Sequence, residues 1–164
     1  KLPIMYNLPT GVKNPLEGEK YIALCCITKN LVKDMPLETA VELIRRINKE
    51  TDCKVVLTGA GESSVEYAEK LAHAGVEFVN MVNKTNLLEL GAILKGSEGL
   101  ISCDTGTMHF ANALGVPTVA VFYAKDMFPI WGPKSDWYDS VIIENNQTAE
   151  NIFDEFMKKV KVGV

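Results

Sequence analysis

Apolar residues follow two alternating rhythms along this chain: short unbroken runs, and stretches in which they recur at helical spacing. Tyr21-Ile-Ala-Leu-Cys-Cys-Ile27 is an unbroken run. It lacks polar alternation, as a strand buried on both faces of a parallel sheet does. Pro36 then suits the first turn of a helix. After it, Leu37, Ala40, Val41, Ile44 and Ile47 fall on one face, with Glu38, Glu42, Arg45 and Lys49 on the other. Lys54-Val-Val-Leu-Thr58 predicts a second strand with Gly59-Ala-Gly61 as its turn. The next helix is expected to carry Val65, Ala68 and Ala72 inward and to end near Gly75. Val76-Glu-Phe-Val79 predicts a third strand. Leu87, Leu90, Gly91 and Leu94 predict a third helix, stopped near Gly96.

Further along, Gly99-Leu-Ile-Ser-Cys103 and Pro117-Thr-Val-Ala-Val-Phe122 read as strands. Between them DTGTMHFANALG, Asp104 to Gly115, reads as a polar turn and a short helix. Ser140-Val-Ile-Ile143 predicts a sixth strand. A last helix is signalled by Thr148 as N-cap, Glu150 near the first turn, and Ala149, Ile152, Phe153, Phe156 and Val160 on one face. Alternation of this kind predicts an α/β fold, a doubly wound, Rossmann-like parallel sheet with helices on both faces. Residues 1–19 carry Pro3, Pro9, Pro15, Gly11 and Gly18 without periodicity and read as a linker or irregular lead-in to a domain over 20–164.

Length and composition narrow the function classes. The 164 residues suffice for one domain with a real core and fall short of two ordinary ones. With 17 basic and 21 acidic residues the net charge is −4. No long cationic tract is present, which weighs against a nucleic-acid partner. A small anionic ligand remains open, because one or two local cations serve it. No apolar run approaches the roughly 20 residues that span a bilayer. No signal-peptide pattern opens the chain, which begins on Lys1 as a fragment or processed form does. Cys25, Cys26, Cys53 and Cys103 lack zinc-like CxxC spacing and read as buried thiols in a reducing, cytoplasmic compartment.

Chemistry concentrates in the DTG turn, at the carboxyl edge where a parallel sheet offers backbone N–H groups to an anion. Gly106 lacks a Cβ, so a ligand can approach its backbone closely and positive φ is open to it. Thr105 and Thr107 bring hydroxyls and N–H groups to a helix start, where the macrodipole favours negative charge. Asp104 would avoid a phosphate and accept from sugar hydroxyls, or else Asp104 or Thr105 simply caps the helix. His109, on the first turn, is by itself an ordinary partly buried histidine; beside Asp104 and Gly106 it becomes a donor to a phosphate oxygen. Lys33 sits between the first strand and Pro36, beside the DTG turn if strands one and four are neighbours. Thr28 ends the first strand at the same edge. Glu62 either binds ribose hydroxyls or serves the helix dipole. Gly59-Ala-Gly61-Glu-Ser-Ser64 only approximates GxGxxG, and Asn80 stands where a dinucleotide site wants an acid, so NAD binding is rejected. Trp131-Gly-Pro133, with Lys125 and Asp126 in the same loop, reads as a loop anchor or as an aromatic near a base. No paired-aspartate motif supports a divalent metal.

The segment DTGTMHFANALGVPTVAVF resembles the signature of glycosyltransferase family 9, the heptosyltransferases of lipopolysaccharide core assembly. Asp104, Thr105, Gly106, His109, Ala111, Ala113, Leu114, Gly115, Pro117 and Phe122 all match it. Lys33-Asp-Met-Pro36 is similar to the family's K-x-W-P, with Met35 in place of the tryptophan. Val56 to Glu62, Asn83 to Leu88 and Trp131-Gly-Pro133 resemble further elements in the same order. After Phe122 the usual G-P-T-D-P is replaced by Tyr123-Ala-Lys-Asp-Met127. The resemblance runs from about Tyr21 to Pro133.

That resemblance implies one half of a GT-B glycosyltransferase, the carboxyl-terminal donor-binding half. It implies inverting, metal-independent transfer of a sugar, heptose from ADP-heptose, to a lipopolysaccharide core acceptor. Carried over, Lys33 sits on the diphosphate and Asp104 holds the sugar. Thr105, Gly106 and His109 line the phosphates, while Thr28, Glu62 and Thr85 complete the donor pocket; Thr107 joins the donor-binding residues from its own place at the helix start. No cofactor is implied beyond the nucleotide-sugar co-substrate. The acceptor, a lipid-linked oligosaccharide, and the general base belong to the amino-terminal half. Peripheral contact with the inner face of the bacterial inner membrane is the most that is implied. The domain alone is expected to bind donor weakly and transfer nothing. Two other readings stand beside this one: a non-catalytic nucleotide or nucleotide-sugar binding module, and, less favoured, a flavodoxin- or receiver-type domain. The receiver's acidic pocket is absent, since Thr28, Lys29 and Asn30 occupy its place.

Overall fold

A computed structural model of the chain describes residues 6–29, 34–123 and 140–160. Its strands are β1 (Tyr21–Cys25), β2 (Lys54–Leu57), β3 (Val79–Asn80), β4 (Leu100–Cys103), β5 (Thr118–Val121) and β6 (Ser140–Ile143). Its helices are α1 (Leu37–Glu50), α2 (Glu62–His73), α3 (Leu87–Gly96), α4 (Gly106–Ala113) and α5 (Ala149–Val160). The strands form one sheet in the order β3-β2-β1-β4-β5-β6, every pair parallel. The chain therefore reverses its direction of travel across the sheet between β1 and β4, and that is where a crevice opens outside the strand ends.

The unbroken apolar runs are explained by burial on both faces. Ile22, Leu24 and Cys26 enter one core cluster with the inner sides of α1, α2 and α5, while Ala23 and Cys25 face α3 and α4. Adjacent Cys25 and Cys26 thus point to opposite faces, and all four cysteines are free and buried. Leu43, Ile44 and Ile47 of α1 are fully buried, each worth about 2 kcal/mol of apolar transfer. Asn86 opens α3 with a capping box, its side chain accepting from Glu89 N–H and Glu89 answering to Asn86 N–H.

Three expectations need correction. The first strand stops at Cys25, not Ile27, because the next groups bond elsewhere: Cys26 C=O accepts from Met35 N–H at 3.0 Å and Thr28 N–H donates to Asp34 at 2.6 Å. The inward stripe of α2 is Ser64, Tyr67, Ala68 and Leu71, with Val65 and Ala72 exposed. Two contacts set that rotation. Ser64 packs so closely on Gly59 that a Cβ there would meet Ser64 Oγ at 2.9 Å. Tyr67 donates its hydroxyl to Met35 C=O at 2.8 Å. The third strand is only Val79–Asn80, because pairing with β2 begins at Val56↔Val79. Val76 is nevertheless buried and Phe78 packs on the core, so the apolar signal there reports burial without pairing.

Residues 6–19 form neither helix nor strand. They lie against the α3–α4 side: Tyr6 N–H donates to Ala113 C=O at 2.6 Å, and Leu8 and Leu16 pack on the sheet's clusters. Among the described residues no helix is long and apolar enough to cross a membrane.

Candidate active site

Three strand-to-helix turns meet where the sheet reverses. They follow β1 (Thr28, Lys29), β2 (Gly59 to Ser63) and β4 (Asp104 to Thr107), with His109 one turn into α4, and they line a cleft of about 790 Å³. A second cavity of the same volume lies between α1 and α2 beside β3, lined by residues such as Asn48, Asp52 and Val76. It gathers none of the candidate groups. The first cleft lies at the carboxyl ends of the strands, where open α/β sheets bind ligands.

Two helices begin at this cleft. In α4, Thr105 is the N-cap: its Oγ1 accepts from Met108 N–H at 3.2 Å. The N–H groups of Gly106 and Thr107 have no partner among the described residues. Gly106 is not among the positive-φ glycines, so its value at this place is the missing side chain rather than an unusual backbone. In α2, Gly61 is the N-cap at φ +91°, and no side chain caps the helix. Gly61 N–H instead donates to Asn83 Oδ1 at 2.9 Å, and Asn83 adopts φ 58°. First-turn N–H groups of two helices, without a partner among the described residues and each at a positive dipole end, bound one space.

The structure brings Asp104 and His109 together, with Nε2 and Oδ1 3.9 Å apart. The Asp104 side chain is 8% exposed and that of His109 50%. With half of the imidazole open to solvent, a contact at this distance adds little stability. It does orient a carboxylate and an imidazole toward one ligand volume. Thr28 reaches the cleft with its hydroxyl donating to Asp34 Oδ1 at 2.9 Å. Glu62 and Thr107 line it too. Thr85, two residues before α3, is not among its described lining residues. Lys33 lies outside the described residues, as do Lys125, Asp126 and Trp131-Gly-Pro133. Met35, at the family's tryptophan position, is fully buried, its sulfur 3.9 Å from Cys26 Sγ. The substitution is thus absorbed by the core.

Sequence reasoning missed Lys29, which lines the cleft, Asp34, which holds Thr28, and Ser102, buried in β4 with its Oγ 3.1 Å from Thr105 Oγ1. Lys29 follows Thr28 directly, and its place beyond a strand's carboxyl end was the one available signal. No group of three or more metal-ligating side chains is found among the described residues.

A model of glycosyltransferase family 9 (heptosyltransferase) matches residues 9–160. Over 120 residues the chain is 29% identical to lipopolysaccharide heptosyltransferase 1 of Escherichia coli K12, covering 73% of this chain and 35% of that protein. The solved structure of E. coli heptosyltransferase WaaC with ADP aligns at TM-score 0.73 and 25% identity, covering 93% of this chain and 46% of that one. E. coli ADP-heptose lipopolysaccharide heptosyltransferase II aligns at TM-score 0.71 and 19% identity, covering 88% and 47%, a likeness of fold. The chain spans about a third of the curated relative's length and under half of these structures.

Proposed function

The chain belongs to glycosyltransferase family 9, and from that premise we propose that it is the donor-binding half of an inverting, metal-independent glycosyltransferase. The donor is a nucleotide-sugar, ADP-heptose, and the acceptor a hydroxyl of a lipopolysaccharide core, held by an amino-terminal half. One observation carries the reading: two helix N-termini, the Asp104–His109 pair and Glu62 border a single cleft at the β1/β4 reversal. First-turn N–H groups suit the phosphates, and carboxylates suit sugar hydroxyls. The relative solved with ADP supports an adenine nucleotide.

In transfer, the acceptor oxygen attacks the anomeric carbon while the nucleoside diphosphate leaves. Negative charge grows on that diphosphate. The first turn of α4, His109 and Lys33, the last assigned by resemblance, oppose it; one preorganised donor of this kind commonly supplies about 3 kcal/mol of activation free energy. Asp104 acts on the sugar. The general base belongs to the other half, so this half alone binds donor and transfers nothing. A thermal-shift screen of ADP-, GDP- and UDP-sugars tests the donor, since a ligand stabilises by RT ln(1 + [L]/Kd). A shift with ADP-sugars is expected. No shift with any of the three refutes the reading.

A further inference from the structure

Building on that donor-site reading, we propose that Lys29 is a phosphate-binding residue of this site, a cation that no family motif in the chain marks. The case begins with the hydroxyl protons. Ser102 Oγ has one, donated to Cys103 C=O at 2.8 Å. With the Ser102 proton on that shorter contact, the 3.1 Å contact between Ser102 Oγ and Thr105 Oγ1 takes its proton from Thr105. Thr105 Oγ1 also accepts from Met108 N–H, so its proton is committed inside the protein. The Thr28 hydroxyl donates to Asp34 Oδ1, which takes Thr28 N–H as well. Two hydroxyls that would meet a phosphate have no proton to offer it without breaking an internal bond.

Charge points the same way. Glu62 and Asp104 both line the cleft and repel an anion. Against them, Lys29 is the one lysine or arginine among the described lining residues. It is exposed, and among the described residues no carboxylate lies within ion-pairing distance of it. Its backbone leaves Thr28, which Asp34 clamps through two hydrogen bonds, so the root of a flexible side chain is fixed at the cleft. With His109 half exposed and the Ser63 and Thr107 hydroxyls neutral, the Lys29 ammonium is the one permanent positive charge the described cleft offers a diphosphate, beside the first-turn N–H groups of the two helices.

The test is calorimetry of ADP, AMP and adenosine on the full-length protein, for wild type, Lys29→Ala and Lys29→Arg, at low and high salt. Lys29→Ala is expected to weaken ADP about tenfold, the scale of one charge-assisted hydrogen bond, and AMP less. Adenosine is expected to be unaffected. The wild-type advantage for ADP shrinks with salt, and Lys29→Arg restores most of it. Because Lys29 is exposed, the variant folds, and its melting temperature verifies this. If wild type binds ADP and Lys29→Ala binds it equally, the proposal fails and the donor-site reading stands. If adenosine weakens in step with ADP, Lys29 does not act on phosphate and the proposal fails. If wild type binds no ADP, both fall.

Discussion

Gly106→Ala separates what the fold needs from what the ligand needs. A Cβ built at Gly106 meets no atom within 4 Å, and the residue does not use positive φ. As the first residue of α4 it loses nothing by gaining a methyl group. Alanine's lower conformational entropy when unfolded should add about 0.5 kcal/mol of stability, or roughly 1–2 °C in Tm for a chain of this size. Binding should move the other way. Gly106 borders the cleft and its N–H has no partner among the described residues. A methyl group there holds an anion away from the first-turn N–H groups. Loss of a hydrogen bond to a charged acceptor costs about 2 kcal/mol, or roughly thirtyfold in ADP affinity. Urea or thermal melts give the first quantity and calorimetry with ADP the second. Gly59→Ala, where the added atom would lie 2.9 Å from Ser64 Oγ at φ +153°, should by contrast lose stability. Unchanged ADP affinity in Gly106→Ala would refute close approach of the ligand at this turn. A large loss of stability would refute the local geometry.

Three further outcomes are expected. Thr105→Val removes the cap on Met108 N–H and should cost about 1 kcal/mol, read as a Tm drop; an unaltered Tm means the cap contributes nothing. Asp104→Asn, in the full-length enzyme, should lower kcat by roughly ten- to a hundredfold while ADP affinity holds, since a charged acceptor to a sugar hydroxyl contributes about 1.5–3 kcal/mol; a parallel loss of ADP affinity would move Asp104 to the nucleotide. Burial pushes the Cys26 and Cys103 thiols up. Above about pH 8.5 the unfolded chain releases those protons while the folded chain keeps them, so stability falls as pH rises, by about 1.4 kcal/mol per thiol per pH unit. Urea midpoints at pH 8 and pH 10 measure this, and equal midpoints exclude it.

Most of the fold was legible because burial on two faces leaves a local mark. β1, β2, β4, β5 and β6 coincide with unbroken apolar runs, to within a residue or two. α1, α3 and α5 follow the helical spacing. Val76 to Phe78 misled because an apolar side chain records burial and not pairing. Val65 misled because a helix's rotation is set by its neighbours, here Gly59 below Ser64 and Met35 beside Tyr67. At the site, the DTG turn was visible as an acid, hydroxyls and glycine on a short helix, and the cleft did form around it.

The order of apolar runs and helical stripes, and the spacing of the DTG segment, determined the architecture and the family of this chain without reference to contacts. Which polar groups remain available to a ligand was decided only in three dimensions. A hydroxyl carries one proton, and whether Thr28 or Thr105 spends it on Asp34 or Ser102 depends on how separate segments are brought to bonding distance by the packed sheet. For the same reason Lys29, unremarkable in the sequence, stands at the cleft with no carboxylate within ion-pairing distance among the described residues.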